Sequence, residues 1–350
     1  MNFKENEIVF LFGAGASVDA GIPTSNRMIE DVEDLIQSEW AVYKELYYLV
    51  KSAIIYADGV QGKFDNLDSN NIERLFNVLL ELEKKEQHPL YPFIGQWNIK
   101  FSEVIKDKYS IIKDFQKVIF EKLREWVSFE EGKADYYEQI GSFRKEYEYP
   151  LNIFTLNYDL CVEDALSSTS KIERGFNESK IWDYKKYEQR SEFSDYDIYL
   201  YKLHGSIDWD RDEKTGQIQY KNINRIKKPD LIFGNIYKLQ YVDPYLFQFY
   251  ELRKYTLDAK LVIAVGYSFG DEHINGILAQ AIRQDKEMKL LWVSPNAKKS
   301  VVKEKLGLSI AAQRQIETME MTAKIFFNKQ LKLNILSDLF PKEEDNELWS

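Results

Sequence analysis

The stretch Ile8-Val9-Phe10-Leu11-Phe12-Gly13-Ala14-Gly15-Ala16-Ser17 decides how this chain is read. An unalternated apolar run of this length predicts a strand buried on both faces, as in a parallel sheet. Further runs repeat the arrangement. Ile153-Phe154-Thr155-Leu156 leads into Asn157 and Asp159, and Ile198-Tyr199-Leu200-Tyr201 leads towards His204. Leu261-Val262-Ile263-Ala264-Val265 runs into Gly266-Tyr267-Ser268, and Leu290-Leu291-Trp292-Val293 into Ser294-Pro295-Asn296. In open parallel sheets, ligands bind outside the carboxyl ends of the strands. Small and polar residues follow each run, so a nucleotide-sized ligand at that edge is the simplest expectation. The predicted fold class is α/β, a doubly wound, Rossmann-like parallel sheet with a helical insertion subdomain.

Composition narrows the function classes. A formal net charge of −10 over 350 residues argues against a broad nucleic-acid-binding face, and Lys227-Lys228 and Lys298-Lys299 read as solvated surface. No stretch is long and apolar enough to span a bilayer. The start, Met1-Asn2-Phe3-Lys4-Glu5, lacks the regions of a signal peptide. Cys161 stands alone, which allows neither an internal disulfide nor a cysteine-based zinc site. A cytoplasmic protein without membrane contact is expected. Aromatic residues make up 15% of the chain, enough for core packing and for a buried interface between copies, so a homo-oligomer is expected.

Periodicity divides the chain. Met28, Ile29, Val32, Leu35 and Ile36 recur at helical spacing. Asn70-Asn71-Ile72-Glu73 offers a helix start of capping-box type, followed by Leu75, Phe76, Leu79 and Leu82. Ile105, Tyr109, Ile112, Phe115, Ile119, Leu123 and Trp126 trace the buried stripe of a long amphipathic helix. Residues 1–39 and 149–310 are therefore read as a split nucleotide-binding domain, 40–148 as a helical insertion, and 311–350 as a C-terminal extension with a mobile end. Lys214-Thr215-Gly216 marks a hairpin turn between Asp208 and Tyr220. Residues 168–196 read as a surface excursion.

Glycines after the first strand let backbone approach a pyrophosphate, and bare amides at such a turn can bind its oxygens. Val18 stands where the dehydrogenase fingerprint wants a third glycine, which disfavours an ordinary dehydrogenase. The longer stretch, Gly13-Ala14-Gly15-Ala16-Ser17-Val18-Asp19-Ala20-Gly21-Ile22-Pro23-Thr24, resembles the NAD-binding opening of the sirtuin family. Thr155-Leu156-Asn157-Tyr158-Asp159 is similar to that family's Thr-Gln-Asn-x-Asp motif, and Leu203-His204-Gly205-Ser206 to its His-Gly motif. Gly266-Tyr267-Ser268 sits where sirtuins carry a Gly-x-Ser loop, and Ser294-Pro295-Asn296 where they contact the adenosine ribose. The resemblance runs in order from about residue 7 to 300 and leaves the helical insertion and the tail uncovered.

What this resemblance implies is a sirtuin-type fold and chemistry at the nicotinamide–ribose bond of NAD, with NAD as substrate. By similarity, Asn157 would hold the ribose or the attacking water, Asp159 the nicotinamide amide, and His204 would be the general base. Gly13, Ala14, Gly15, Ser17, Asp19, Pro23, Arg27, Gly266, Ser268, Ser294 and Asn296 would contact the dinucleotide. The residue types suit the reaction. Cleavage of an N-glycosidic bond passes through an oxocarbenium-like state, and nicotinamide leaves neutral, so a base and a positioned nucleophile suffice. An imidazole titrates near neutrality.

Departures from the family pattern favour hydrolysis over protein deacylation. A chain with Cys161 alone cannot build the four-cysteine zinc module of deacetylating sirtuins. The family's Phe-Arg pair is replaced by Ser25-Asn26, with Arg27 displaced by one position, and the missing phenylalanine would otherwise shield the reactive sugar carbon. The pattern is similar to sirtuin-like NAD-degrading effectors of bacterial anti-phage defence. It implies a partner such as a DNA-translocating ATPase. Other readings are a binding module that senses NAD or ADP-ribose, and an ADP-ribosyl transferase or deacylase.

Each residue also has a purely structural reading. Asn157 or Asp159 could cap the helix beginning near Leu160. His204 could be a satisfied turn histidine. Asp271 would repel a pyrophosphate and reads as a helix cap or a ribose contact. His273 is expected in solvent, His88 at a helix end, and Cys161 as a small buried hydrophobe. No grouping has metal-ligand spacing, so no metal is expected. Ser17, Ser206 and Ser268 have no base to activate them as nucleophiles.

Overall fold

The computed structural model describes residues 3–62, 71–84, 103, 110–188, 196–226, 228–233 and 242–340. In chain order the elements are β1 (Ile8–Phe12), α1 (Ser25–Ile36), α2 (Lys44–Val60), α3 (Ile72–Lys84), α4 (Ser110–Trp126), α5 (Glu138–Tyr147), β2 (Leu151–Thr155), α6 (Cys161–Leu166), β3 (Ile172–Glu173) and α7 (Lys185–Glu188). They continue with β4 (Ile198–Lys202), β5 (Trp209–Arg211), β6 (Ile218–Tyr220), α8 (Tyr245–Asp258), β7 (Leu261–Val265), α9 (Glu272–Gln284), β8 (Lys289–Val293), α10 (Lys299–Lys305), β9 (Ile316–Met319), α11 (Ala323–Lys329) and α12 (Leu333–Ser337). No helix among the described residues is long and apolar enough to cross a membrane.

The chain forms two compact units. One comprises Met1–Ile22, Phe129–Leu231 and Leu239–Ser350, and the other Pro23–Ser128 with Ile232–Lys238. The first unit is built on a seven-stranded sheet of order β3-β4-β2-β1-β7-β8-β9, parallel throughout, and this is the doubly wound α/β class that the apolar runs predict. The order reverses between β1 and β7, where a doubly wound sheet opens its ligand crevice. Register aligns the strand ends: Phe12 pairs with Thr155 and Val265, Thr155 with Lys202, and Val265 with Val293. Every motif that follows these residues therefore emerges at one edge.

Both faces of the sheet are covered, which is why its inner strands are apolar without alternation. On one face Phe10, Phe12, Ile153 and Ile263 pack with Tyr137 and Phe143, with Leu166 of α6 and with Phe326 of α11. On the other, Val9, Leu11, Phe154 and Val262 pack with Leu252 of α8, Ile274 and Leu278 of α9 and Val302 of α10. β5 and β6 form the antiparallel hairpin expected around Lys214-Thr215-Gly216.

The boundaries differ from those expected on three points. Residues 129–147 belong to the sheet unit rather than the insertion, because Tyr136, Tyr137, Ile140, Phe143 and Tyr147 are buried in its core. The segment expected as a C-terminal extension supplies the edge strand β9 and two helices of the same core. Helix α1, expected in the nucleotide-binding part, belongs to the second unit.

In that second unit, the predicted stripes are buried along α1 (Met28, Ile29, Val32, Ile36) and along α4 (Ile112, Phe115, Ile119, Leu123, Trp126). Asn71 Oδ1 accepts from the Glu73 amide at 2.9 Å at the start of α3. Arg74 grips the buried Asp58 through two parallel bonds of 2.6 and 2.5 Å. His88, Ile105, Tyr109, Lys227 and the residues beyond 340 lie outside the described residues.

Candidate functional site

The turn after β1 is locked against the turn after β7. The Gly13 amide donates to the Val265 carbonyl at 3.0 Å and the Gly15 amide to the Gly266 carbonyl at 2.9 Å. A Cβ on Gly13 would lie 2.7 Å from both the Gly266 oxygen and Tyr267 Cα, so only glycine allows this approach. Gly266 is held at φ +63, and a Cβ there would meet the Ala16 nitrogen at 2.1 Å. The Ala16 and Ser17 amides donate to Gly13 and Ala14 carbonyls at 2.9 and 3.1 Å. These amides are thus consumed within the protein. Backbone closure uses the amides of Gly13, Gly15, Ala16 and Ser17, and the Ala14 amide is not among these donors.

Ser17, expected at the dinucleotide, is fully buried and works as a knot. Its hydroxyl shares a 3.1 Å hydrogen bond with Tyr137 and accepts from Asn157 Nδ2 at 3.0 Å. Tyr136 donates to the Ala16 carbonyl at 2.6 Å. Burial pushes both phenols well above their ordinary pKa, so they serve as neutral supports.

Asn157 is the residue this knot presents. Its Nδ2 also donates to the Gly13 carbonyl at 3.0 Å, and a carbonyl can only accept, which fixes the orientation of the side-chain amide. No hydrogen bond among the described residues engages Oδ1. Nδ2 is anchored, and Oδ1 can act only as an acceptor. Thr155 Oγ1 accepts from the Asn157 amide at 3.1 Å and shapes the same turn.

Asp159 is buried and accepts from the Cys161 amide at 3.0 Å, the helix-start role that its type allows. Beneath it lies a charged group that the sequence did not announce. Lys202, at the end of β4 and 1% exposed, donates to the Asp159 carbonyl and lies 3.3 Å from Glu163. Arg174 reaches Glu163 at 3.3 Å and Asp208 at 2.9 Å. Burial works against the guanidinium, but Asp208 and Glu163 outweigh it and hold its pKa above the ordinary value. Cys161 lies close by, and burial, reinforced by Asp159, pushes its thiol up and keeps it protonated.

His204 follows β4 and is 3% exposed. Its ring centroid lies 6.5 Å from that of Tyr158, the neighbour of Asn157, and the Tyr158 carbonyl accepts from the Ile207 amide at 3.1 Å. His204 Nε2 lies 3.2 Å from Asp271 Oδ2. Asp271 caps α9 with its other oxygen, which accepts from the His273 and Ile274 amides at 3.0 and 3.3 Å. Tyr267 donates to the Asp271 carbonyl at 3.1 Å and so ties this pair to the glycine turns. Gly13, Asn157, Tyr158, His204, Asp271, Tyr267 and Gly266 are thereby linked into one ring around the strand ends.

The remaining candidates divide. Ala14, Ser268 and Asn296 are exposed and Ser294 is half-buried at the same edge of the sheet. Asp19 is turned to other work: its Oδ2 accepts from the Lys324 amide at 2.9 Å. Pro23 and Arg27 belong to the second unit, where Arg27 is exposed and pairs with Glu30 and Asp31 along α1. His273 is exposed, as its helical position predicts. Among the described residues no group of three or more His, Cys, Asp or Glu side chains could hold a metal ion. A surface cleft at β3, lined by Glu173, Arg174, Phe176, Tyr196 and Tyr220, shares no residue with the ring.

No curated protein matches the chain. Among solved structures, a Sir2 homologue in complex with NAD is similar at 12% identity, covering 95% of this chain and 90% of the other, with a TM-score of 0.44. A mutant Sir2 homologue in complex with ADP-ribose is similar at 12% identity, with coverage of 93% and 90% and a TM-score of 0.45. A Sir2–p53 peptide–NAD+ complex is similar at 12%, with 94% of each chain covered and a TM-score of 0.43. A family model described as a SIR2-like domain matches residues 151–319. That span runs from β2 to β9, carries Asn157, Asp159, His204 and Asp271, and supports a Sir2-type fold.

Proposed function

We propose that this protein is an NAD+ glycohydrolase, cleaving the nicotinamide–ribose bond with water to give ADP-ribose, nicotinamide and a proton. The observation that carries the reading is the state of Asn157. Its amide nitrogen is bound to Gly13 and Ser17, which leaves its oxygen as an acceptor, and the ring of its neighbour Tyr158 lies 6.5 Å from that of His204. In the step envisaged, the bond between the ribose carbon and the pyridinium nitrogen breaks, and its electron pair leaves with neutral nicotinamide. Water adds to the oxocarbenium-like carbon, oriented by Asn157 Oδ1, and gives its proton to His204.

Asp159, buried above Lys202, would receive the nicotinamide carboxamide. Gly266, Ser268, Ser294 and Asn296 would accompany the rest of the dinucleotide along the strand ends. Hydrolysis is preferred to deacylation because the lone Cys161 leaves no means of building a four-cysteine zinc module. A role as an anti-phage effector, switched on by a partner or by assembly of copies, follows from the sequence resemblance and belongs to this same proposal.

The test is to incubate the full chain with NAD and follow nicotinamide and ADP-ribose. Equimolar release of both, with no label passed to protein, supports the hydrolase. Label transferred from NAD onto protein would replace it with a transferase. Tight NAD binding without product, even with an operon partner supplied, would leave a sensor.

A further inference from the structure

We infer that Asp271 is the positioning residue for His204, holding the proton on Nε2 so that Nδ1 is the atom that accepts a proton. This rests on the reading of His204 as general base. Two distant turns of the sheet unit meet here: His204 after β4 and Asp271 after β7. Both side chains are 3% exposed, and their Nε2 and Oδ2 atoms are 3.2 Å apart. Among the described residues His204 Nε2 makes no hydrogen bond, and the carboxylate beside it is that of Asp271. The pair is close without being in line as a hydrogen bond, and catalytic hydrogen bonds often align only once substrate is bound.

The two carboxylate oxygens have separate duties. Oδ1 is held by the His273 and Ile274 amides at the start of α9, which directs Oδ2 at the imidazole. A carboxylate only accepts, so the neutral imidazole facing it keeps its hydrogen on Nε2, and the lone pair falls on Nδ1. The same charge stabilises the imidazolium formed when His204 takes the proton from water, without moving a proton itself. A helix cap alone would need only the first of these oxygens.

The experiment separates cap from positioner. Asp271→Asn and Asp271→Ser both keep a good capping residue, so α9 keeps its start. Asparagine can also turn an N–H toward Nε2 and so favours the opposite tautomer. The chain has three histidines, so their ring nitrogens can be assigned by nitrogen-15 NMR with His204→Gln as reference.

Wild type is expected to show the Nε2–H tautomer at His204 and Asp271→Asn the Nδ1–H tautomer, with little change in melting temperature. With NAD, kcat should fall on the order of 100-fold in Asp271→Asn while KM stays within about threefold. The Nδ1–H tautomer in wild type, or an unchanged tautomer in Asp271→Asn, would overturn the inference. So would a loss confined to melting temperature. The NMR result needs no turnover, so it stands or falls separately from the hydrolase reading.

Discussion

The turn after β1 and the turn after β4 end at one edge of one sheet, yet they treat their polar groups in opposite ways. Between Gly13 and Ser17 the amides of Gly13, Gly15, Ala16 and Ser17 and the Ser17 hydroxyl are all used inside the protein. Around His204, Nε2 and the nearby Ser206 Oγ are buried without a hydrogen bond. A buried polar atom left unsatisfied costs about 1–3 kcal/mol. The first turn is scaffold, closed by glycine. The second sets the His204 imidazole against the Asp271 carboxylate. Asn157 is tied to the first turn through Nδ2, and its neighbour Tyr158 lies against His204.

The contrast can be broken most severely at Gly266. Alanine there must adopt φ +63 and thrust its Cβ against the Ala16 nitrogen. A loss of roughly 4 kcal/mol or more in urea denaturation is expected. An unchanged midpoint would mean that the two glycine turns do not pack this closely. Ser17→Ala removes one buried hydroxyl and leaves Tyr137 and one Asn157 proton short of a partner. About 2 kcal/mol should be lost. Equal stability would move Ser17 from scaffold to ligand, where the sequence first placed it.

A gentler probe is alkaline pH. Burial raises the Tyr137 phenol well above its ordinary value of 10.0 in the folded state. The unfolded chain therefore releases that proton first as pH rises. Stability present below pH 10 should decline above it, and Tyr137→Phe should make the decline shallower. Stability that is flat through that range in the wild type would show that the phenol is not held in a dry floor.

Much of the sheet that carries these turns was legible in the sequence. The inner strands could be read because both faces are buried, as in Leu261–Val265, where a continuous apolar run is the only workable pattern. β3 has two residues and β9 is an edge strand in which only Ile316 is fully buried, so neither leaves such a run. The residue types at the site, Asn157 and His204, stood out because they follow strands directly.

What the sequence did not disclose depends on which strands become neighbours. Asp271 reads locally as a helix cap, and only the path from β7 into α9 turns its second oxygen to His204. Lys202 ends an apolar run, and its burial under Asp159 requires β2 and β4 to pair. The consumed amides likewise follow from the contact between β1 and β7, since Gly15 has no acceptor until Gly266 is beside it.

The most direct test compares nicotinamide release by the wild type, Asn157→Ala and His204→Ala under conditions where each binds NAD. The account predicts steady release by the wild type and losses of about 100-fold or more in each variant, with both remaining folded. Release at the wild-type rate by both variants would show that the anchored amide and the buried imidazole are parts of the scaffold, and would contradict it.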